Sequence, residues 1–250
     1  MSDASPARFR SRLPEPTVRI FTDFDGTITP TDVGEELFRH FCGDATFERI
    51  RGRWSEGVLT APEAYGQLSA AMGEISAAEI TRFLGSHAVE ESFPRFVHWC
   101  AAMDFPLYVL SDGADAYILP LLEAAGVDVP VLCNRLEIRE GRARMYFPYF
   151  DRRCPEIAHC KSNHVALLSR DEDVIVYVGD GSSDFEAAQY ADLVFARGTL
   201  ERYCQEQNIT FHRFYTFAAM RDQLANMLHQ NTLRRRKRAE LRRQQLWSAG

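Results

Sequence analysis

The chain has no apolar run approaching the roughly eighteen residues that a membrane-spanning helix needs. Its six cysteines in 250 residues do not resemble a disulfide framework, and Cys42, Cys100, Cys133 and Cys204 fall in apolar or helical stretches where a buried thiol is ordinary. Cys154, His159 and Cys160 stand closer together, but they lack an evident fourth ligand and the pair spacing of a zinc motif, so a metal there is left open. No internal repeat is present, which excludes a solenoid. Residues 1–17 carry serine, proline and arginine without an apolar signal segment, so they are expected to be disordered and the protein cytoplasmic. What remains is 46% hydrophobic, enough for one sizeable core and a small accessory module.

The most informative stretch runs from Arg19 to Thr29. Val18, Ile20 and Phe21 read as a buried strand, and an extended chain then puts Asp23 and Asp25 on one side with Phe24 on the other. Gly26 follows at once, where the lack of a side chain lets a backbone N–H approach an anion. An EF-hand loop does not fit, because its glycine at position six would put Phe21 at position one. Two acids after three strand formers, with a glycine behind them, suit a magnesium ion and a phosphate better than a solvated polar face.

Three later segments share this character. Leu107 to Gly113 is an apolar strand ending in Ser111, Asp112 and Gly113. Lys161 opens a helix containing Val165, Leu167 and Leu168. Val174 to Asp184 is another apolar strand that ends in Asp180 and Asp184. Each alone is a weak signal, but three of the four segments end strands with polar groups. The overall order is strand, helices, strand, helix, hairpin, helix, strand, helix, strand, helix. It predicts an α/β fold with a doubly wound parallel sheet and a site at the carboxyl ends of the strands.

With Asp23 to Thr27 as the first motif, the chain resembles the haloacid dehalogenase-like phosphatases. The resemblance implies Asp23 as nucleophile through an aspartyl-phosphate, and Asp25 as general acid-base with its main-chain carbonyl toward Mg2+. It further implies Asp23 and Asp180 as metal carboxylates, with Asp184 as an outer or additional ligand. Gly26, Thr27, Ser111, Asp112, Gly113 and Lys161 would hold the phosphoryl oxygens, the lysine also offsetting repulsion among the acids. Within this family two branches compete. The chain is similar to the 2-hydroxy-3-keto-5-methylthiopentenyl-1-phosphate phosphatases of methionine salvage in the segments Asp23 to Thr29, Ser111 to Leu122, Cys133 to Asn134 and Ala191 to Arg197. It resembles the phosphoserine phosphatases in Gly179 to Asp184, where Gly181 is more typical of that branch. That branch usually has a glutamate where Asp32 stands, to hold the substrate ammonium, and a cap arginine for its carboxylate; Arg39, Arg49, Arg51 and Arg53 are candidates.

Residues 32–91 are helical in period with no convincing strand, too long for a crossover, and are expected to form a cap over the cleft. The catalytic core would then comprise 18–31 and 92–230. Alternation about Glu140 and Gly141 predicts a hairpin insert over 131–149. The residues from 231 to 250 form a basic tail, with seven basic residues from Arg234 to Arg243 against Glu240, leaving about −12 on the rest of a chain whose net charge is −6. One long helix from Thr216 with a frayed, solvated basic end is the expectation. A nucleic-acid arm is the alternative. The expected partner is a small phosphorylated metabolite, with no membrane, and the chain would be a monomer or homodimer.

Overall fold

A computed structural model describes residues 17–248. Seven strands form one sheet in the order β4-β3-β2-β1-β5-β6-β7. They are β1 (Val18–Thr22), β2 (Leu107–Ala114), β3 (Val131–Arg139), β4 (Arg142–Tyr146), β5 (Val174–Gly179), β6 (Leu193–Ala196) and β7 (Phe211–Arg213). All neighbours pair in parallel except β3 and β4. The apolar runs of β1 and β5 are buried along their whole length, because the sheet is covered on both faces. Ile20, Val109 and Val176 belong to one core, and Phe21, Leu110 and Tyr177 to the other, as the two-residue period of a strand requires.

The strand order reverses at β1, which has β2 on one side and β5 on the other. A crevice at the carboxyl ends of the strands follows from that reversal. Asp23 continues β1 with a backbone bond to Val178 O at 2.9 Å, and Ser111 lies two residues beyond Val109, the partner of Thr22.

Helices α1 (Val33–Cys42), α2 (Asp44–Ser55), α3 (Ala61–Ala71) and α4 (Ala77–Leu84) lie between β1 and α5 (Phe93–Ala102). Their starts are written locally. Asp32 caps α1 by accepting from Glu35 N, and Thr60 with Glu63 and Ser76 with Glu79 form reciprocal capping boxes on α3 and α4. The four-helix insert rests on the β3–β4 hairpin, with Ile75 N donating to Gly141 O at 2.8 Å. That hairpin turns through Glu140 and Gly141, whose φ values of 51° and 75° fit a two-residue primed turn.

The remaining helices are α6 (Asp115–Ala124), α7 (Lys161–Leu168), α8 (Phe185–Tyr190), α9 (Gly198–Glu206), α10 (Phe217–His229) and α11 (Lys237–Ser248). The single long C-terminal helix expected from Thr216 is corrected here. It ends at His229, and a second helix packs back onto α7 and α8. Its basic residues are not all solvated. Arg243 is buried and ion-paired with Asp192 at 3.1 Å, and Arg236 donates to Ala188 O and Gln189 O. Free backbone carbonyls at the end of α8 and one buried carboxylate supply what the sequence pattern could not reveal. No helix among the described residues is long and apolar enough to cross a membrane.

Candidate active site

The three strand ends and the start of α7 converge. Carboxylate oxygens of Asp23, Asp180 and Asp184 lie within 4.8 Å of one another. Lys161, fully buried, places Nζ 2.8 Å from Asp23 Oδ1, 2.7 Å from Asp184 Oδ1 and 3.0 Å from Ser183 Oγ. A buried ammonium is costly without partners, and here two carboxylates hold it charged. Burial alone would pull its pKa down; Asp184 and Asp23 outweigh that and push it up.

Asp184 is the most constrained of the acids. Its Oδ1 accepts from Lys161 and from the Tyr177 hydroxyl at 2.7 Å. Its Oδ2 accepts from the backbone N–H groups of Asp180 (2.9 Å) and Gly181 (3.1 Å). Four donors therefore fix a side chain that in turn fixes the loop bearing Asp180. Asp180 accepts from the Thr27 hydroxyl at 3.0 Å through Oδ1. Burial first, then the charge of Asp184, raises its pKa to about 6. Asp23 accepts from its neighbour Phe24 N at 2.7 Å and from Lys161, both through Oδ1. Burial and Asp184 push its pKa well above the usual carboxylate range, against the pull of Lys161. Asp23 and Asp180, both raised by burial and by neighbouring acids, stand with Asp184 as the donor set a hard divalent cation would relieve.

Asp25 stands apart from these three. Its Oδ1 accepts from Val33 N (2.9 Å) and Gly34 N (3.2 Å) at the start of α1, and its Oδ2 accepts from the Tyr117 hydroxyl at 2.6 Å. Burial and the nearby Asp32 raise its pKa to about 8, beyond what those three hydrogen bonds take back. A carboxyl poised there can hold a proton near neutral pH and give it up, as a general acid-base must.

The sequence-predicted residues fall out as follows. Asp23, Asp180, Asp184, Lys161 and Thr27 are joined by the contacts above, and Gly113 backs onto Asp25, since a Cβ on it would sit 2.7 Å from Asp25 Oδ2. Ser111 is buried, and its Oγ accepts from Gly113 N at 3.0 Å, leaving the hydroxyl proton for another acceptor. Two expectations need correction. The Gly26 N–H, expected to face an anion, donates instead to Thr31 O, and Thr27 N donates to Phe24 O. Glycine is needed at 26 because φ is +67° and a Cβ would come within 2.5 Å of Asp180 Oδ2. Asp112 was expected to help hold phosphate, and its carboxylate instead accepts from His159 N at 2.6 Å. An acceptor already engaged with the loop leaves only its backbone N–H for an anion.

Sequence reasoning did not assign a site role to Tyr117, Tyr177 or Arg197. Arg197 donates to Gly26 O and so pins the turn after Asp25. Tyr117 is the third residue of α6, three positions past the end of β2, and nothing local marks its hydroxyl as aimed at β1. His159 likewise leaves its expected thiol neighbours. Its Nδ1 is 2.9 Å from Ser111 O and its Nε2 is 3.0 Å from His164 Nδ1.

Comparison with known proteins agrees with this layout. The chain is 30% identical over 204 residues to the 2-hydroxy-3-keto-5-methylthiopentenyl-1-phosphate phosphatase of Bacillus pumilus, covering 80% of this chain and 88% of that one. It is 29% identical over 215 residues to the protein of the same name from Bacillus cytotoxicus, covering 85% and 98%. Among solved structures, a phospho-aspartyl intermediate analogue of phosphoserine phosphatase superposes with a TM-score of 0.63 at 16% identity, covering 86% of this chain and 99% of that one. A probable phosphoserine phosphatase from Vibrio cholerae gives 0.66 at 17% identity, covering 89% and 68%. The model of the haloacid dehalogenase-like hydrolases matches residues 20–189, and the chain belongs to that family.

Proposed function

We propose that the protein is a Mg2+-dependent phosphomonoesterase that works through an aspartyl-phosphate on Asp23. The observation that carries this reading is the Lys161 ammonium held between Asp23 and Asp184, beside Asp180 and within one strand end of Asp25. Phosphoryl transfer asks mainly for an aligned nucleophile and for neutralised oxygens, and this arrangement offers both. The Asp23 and Asp180 carboxylates and the Asp25 carbonyl would hold Mg2+, with Asp184 as an outer anchor, and the ion would supply charge neutralisation for phosphate and nucleophile together.

The protein's own groups account for the remaining roles. Asp23 Oδ1 is fixed by Phe24 N and Lys161, so the carboxylate cannot rotate away from the incoming phosphorus. Asp25, protonated near neutral pH, gives its proton to the leaving alkoxide and then takes one from the water that cleaves the aspartyl-phosphate. The Ser111 hydroxyl, whose oxygen is oriented by the Gly113 N–H, the Asp112 backbone N–H and the Lys161 ammonium are the groups that would meet the phosphoryl oxygens. The helical insert serves as a cap that closes over this edge and excludes water.

For the substrate, we infer 2-hydroxy-3-keto-5-methylthiopentenyl-1-phosphate, hydrolysed in the cytoplasm. A cavity of about 870 Å³ between the helical insert and the core is lined by Phe38, Phe47, Trp54, Tyr65 and Leu68. Trp54 and Phe38 both pack on Tyr65, with ring centroids 5.3 and 5.8 Å away. That aromatic side suits an apolar methylthio chain, while Asp32, Glu35, Arg51, Arg153, Glu156 and Glu186 make the rest of the wall charged. The relatives bearing that substrate's name support the same choice. Phosphoserine remains the second reading because Asp32 and Arg51 line the same cavity and could meet an ammonium and a carboxylate.

Phosphate release from a panel of phosphorylated metabolites, including both compounds, separates the two readings. Asp23→Asn is expected to abolish turnover of every ester while leaving the circular dichroism spectrum unchanged. Undiminished turnover in that variant would refute the mechanism, and preference for phosphoserine would refute the substrate.

A further inference from the structure

We propose that Cys154, Cys160 and Glu186 form a second cation site, for a thiophilic divalent ion such as zinc, next to but separate from the Asp23, Asp180 and Asp184 cluster. Cys154 Sγ and Cys160 Sγ are 3.6 Å apart. Glu186 Oε2 lies 3.3 Å from the first and 3.9 Å from the second. Zinc with bonds of about 2.3 Å to sulfur and about 2.0–2.2 Å to oxygen, arranged tetrahedrally, separates two sulfurs by about 3.8 Å and a sulfur from an oxygen by about 3.5 Å. The three donors therefore already stand near the corners of such a tetrahedron. Glu186 takes the place that His159 could not fill, since the histidine ring is turned to Ser111 and His164.

Two further observations point to a ligand. The contacts of Glu186 Oε2 among the described residues are these two thiols and the Ser162 hydroxyl at 3.0 Å, with no cation. Without a cation the Cys154 thiol donates to Glu186 Oε2. A bound cation would take the thiolate form, the proton leaving to solvent, and balance its charge together with that of Glu186. Access exists as well, because Cys154 and Glu186 line the cavity between insert and core, where water can complete the fourth position.

The site has a defined mechanical effect. The segment from Asp151 to Cys160 already touches the insert through Trp54 Nε1 to Glu156 O (3.0 Å) and Ala61 N to Pro155 O (2.8 Å). A cation would tie this segment to Glu186 on α8 at the residue before Lys161. The lysine and the floor of the insert would then be held by one clasp.

The test uses the full-length protein, fully reduced and titrated with cobalt(II) as a spectroscopic substitute for zinc. Expected are thiolate-to-cobalt charge transfer and intense tetrahedral d–d bands at one equivalent, bleached by zinc. Both should persist in Asp23→Asn, which keeps the thiols. In Cys154→Ser/Cys160→Ser the bands should vanish and zinc affinity should fall more than about 100-fold, beyond the loss of an outer-shell partner. Should that double variant fail to fold, Glu186→Gln, which retains both thiols, should weaken zinc and shift the d–d bands. No charge-transfer band in the reduced wild type overturns the proposal. So does an unaltered band in the double variant, whose other four cysteines would then be the ligands, or an unaltered affinity in Glu186→Gln.

Discussion

The Tyr117 hydroxyl donates to Asp25 Oδ2 at 2.6 Å, joining α6 to the turn after β1. This bond favours the ionised carboxylate and holds down a pKa that burial raises to about 8. Tyr117→Phe removes the donor without removing the ring, so Asp25 should bind its proton more tightly. The alkaline limb of kcat/KM, near pH 8 in the wild type, should move up by as much as about one unit. A lower kcat should accompany it, because the acid is less precisely held. A pH profile with an unmoved limb would mean that Asp25 is not the group that titrates.

Gly26→Ala tests how the divalent cation is held. The new Cβ would lie 2.5 Å from Asp180 Oδ2 on a residue with φ of +67°. Asp180 must then swing away and give up the Thr27 hydroxyl at 3.0 Å. The magnesium concentration for half-maximal activity should rise about tenfold or more. A magnesium titration of phosphate release measures this. An unchanged midpoint would remove Asp180 from the proposed ligands.

Much of this arrangement was legible in the sequence for a physical reason. Central parallel strands are buried on both faces, so β2 and β5 begin as unbroken apolar runs and β1 as one interrupted only by Arg19, which is paired with Asp173, and an acid or serine at the end of such a run has nowhere to point but the strand ends. The helical period of residues 32–91 was legible too, while the capping pairs Thr60 with Glu63 and Ser76 with Glu79 that start two of its helices are seen in the structure. Contacts set by tertiary packing were not legible. Tyr117 meets Asp25 across 92 positions, and Arg197 meets Gly26 across 171. The N–H at Gly26 was misread because the tight turn it closes is a matter of backbone dihedrals, which residue types only suggest. The basic C-terminus was misread because charge density describes the residues and not the buried carboxylate that one of them reaches.

That carboxylate makes Arg243 a stability determinant. Its guanidinium is buried against Asp192 at 3.1 and 3.3 Å, while Asp192 also accepts from Arg236 N and Ile175 N. Arg243→Ala leaves a buried charge without its partner and should cost about 3–5 kcal/mol. The exposed Arg238→Ala should change stability by no more than about 0.5 kcal/mol. Urea unfolding of both variants decides the matter, and equal small effects would restore the picture of a solvated tail.

Acid sensitivity should trace in part to His159. Its Nδ1–H donates to Ser111 O, its Nε2 accepts from His164 Nδ1, and burial pushes its pKa down to about 3. In the unfolded chain an imidazole titrates near about 6.5, so below that pH the unfolded state binds the extra proton and the folded state does not. The stability associated with a neutral His159 is therefore complete above about pH 6.5 and lost as the pH falls toward about 3. The slope reaches at most about 1.4 kcal/mol per pH unit. Buried carboxylates such as Asp25, whose pKa is raised, contribute with the opposite sign, so the total curve alone does not isolate the histidine. The difference between wild type and His159→Gln does, because glutamine can still donate to Ser111 O but takes up no proton. Urea midpoints from about pH 7 to about pH 4 should fall less steeply in the variant, even if its stability at neutral pH is lower. Parallel curves would show that another group binds the destabilising proton.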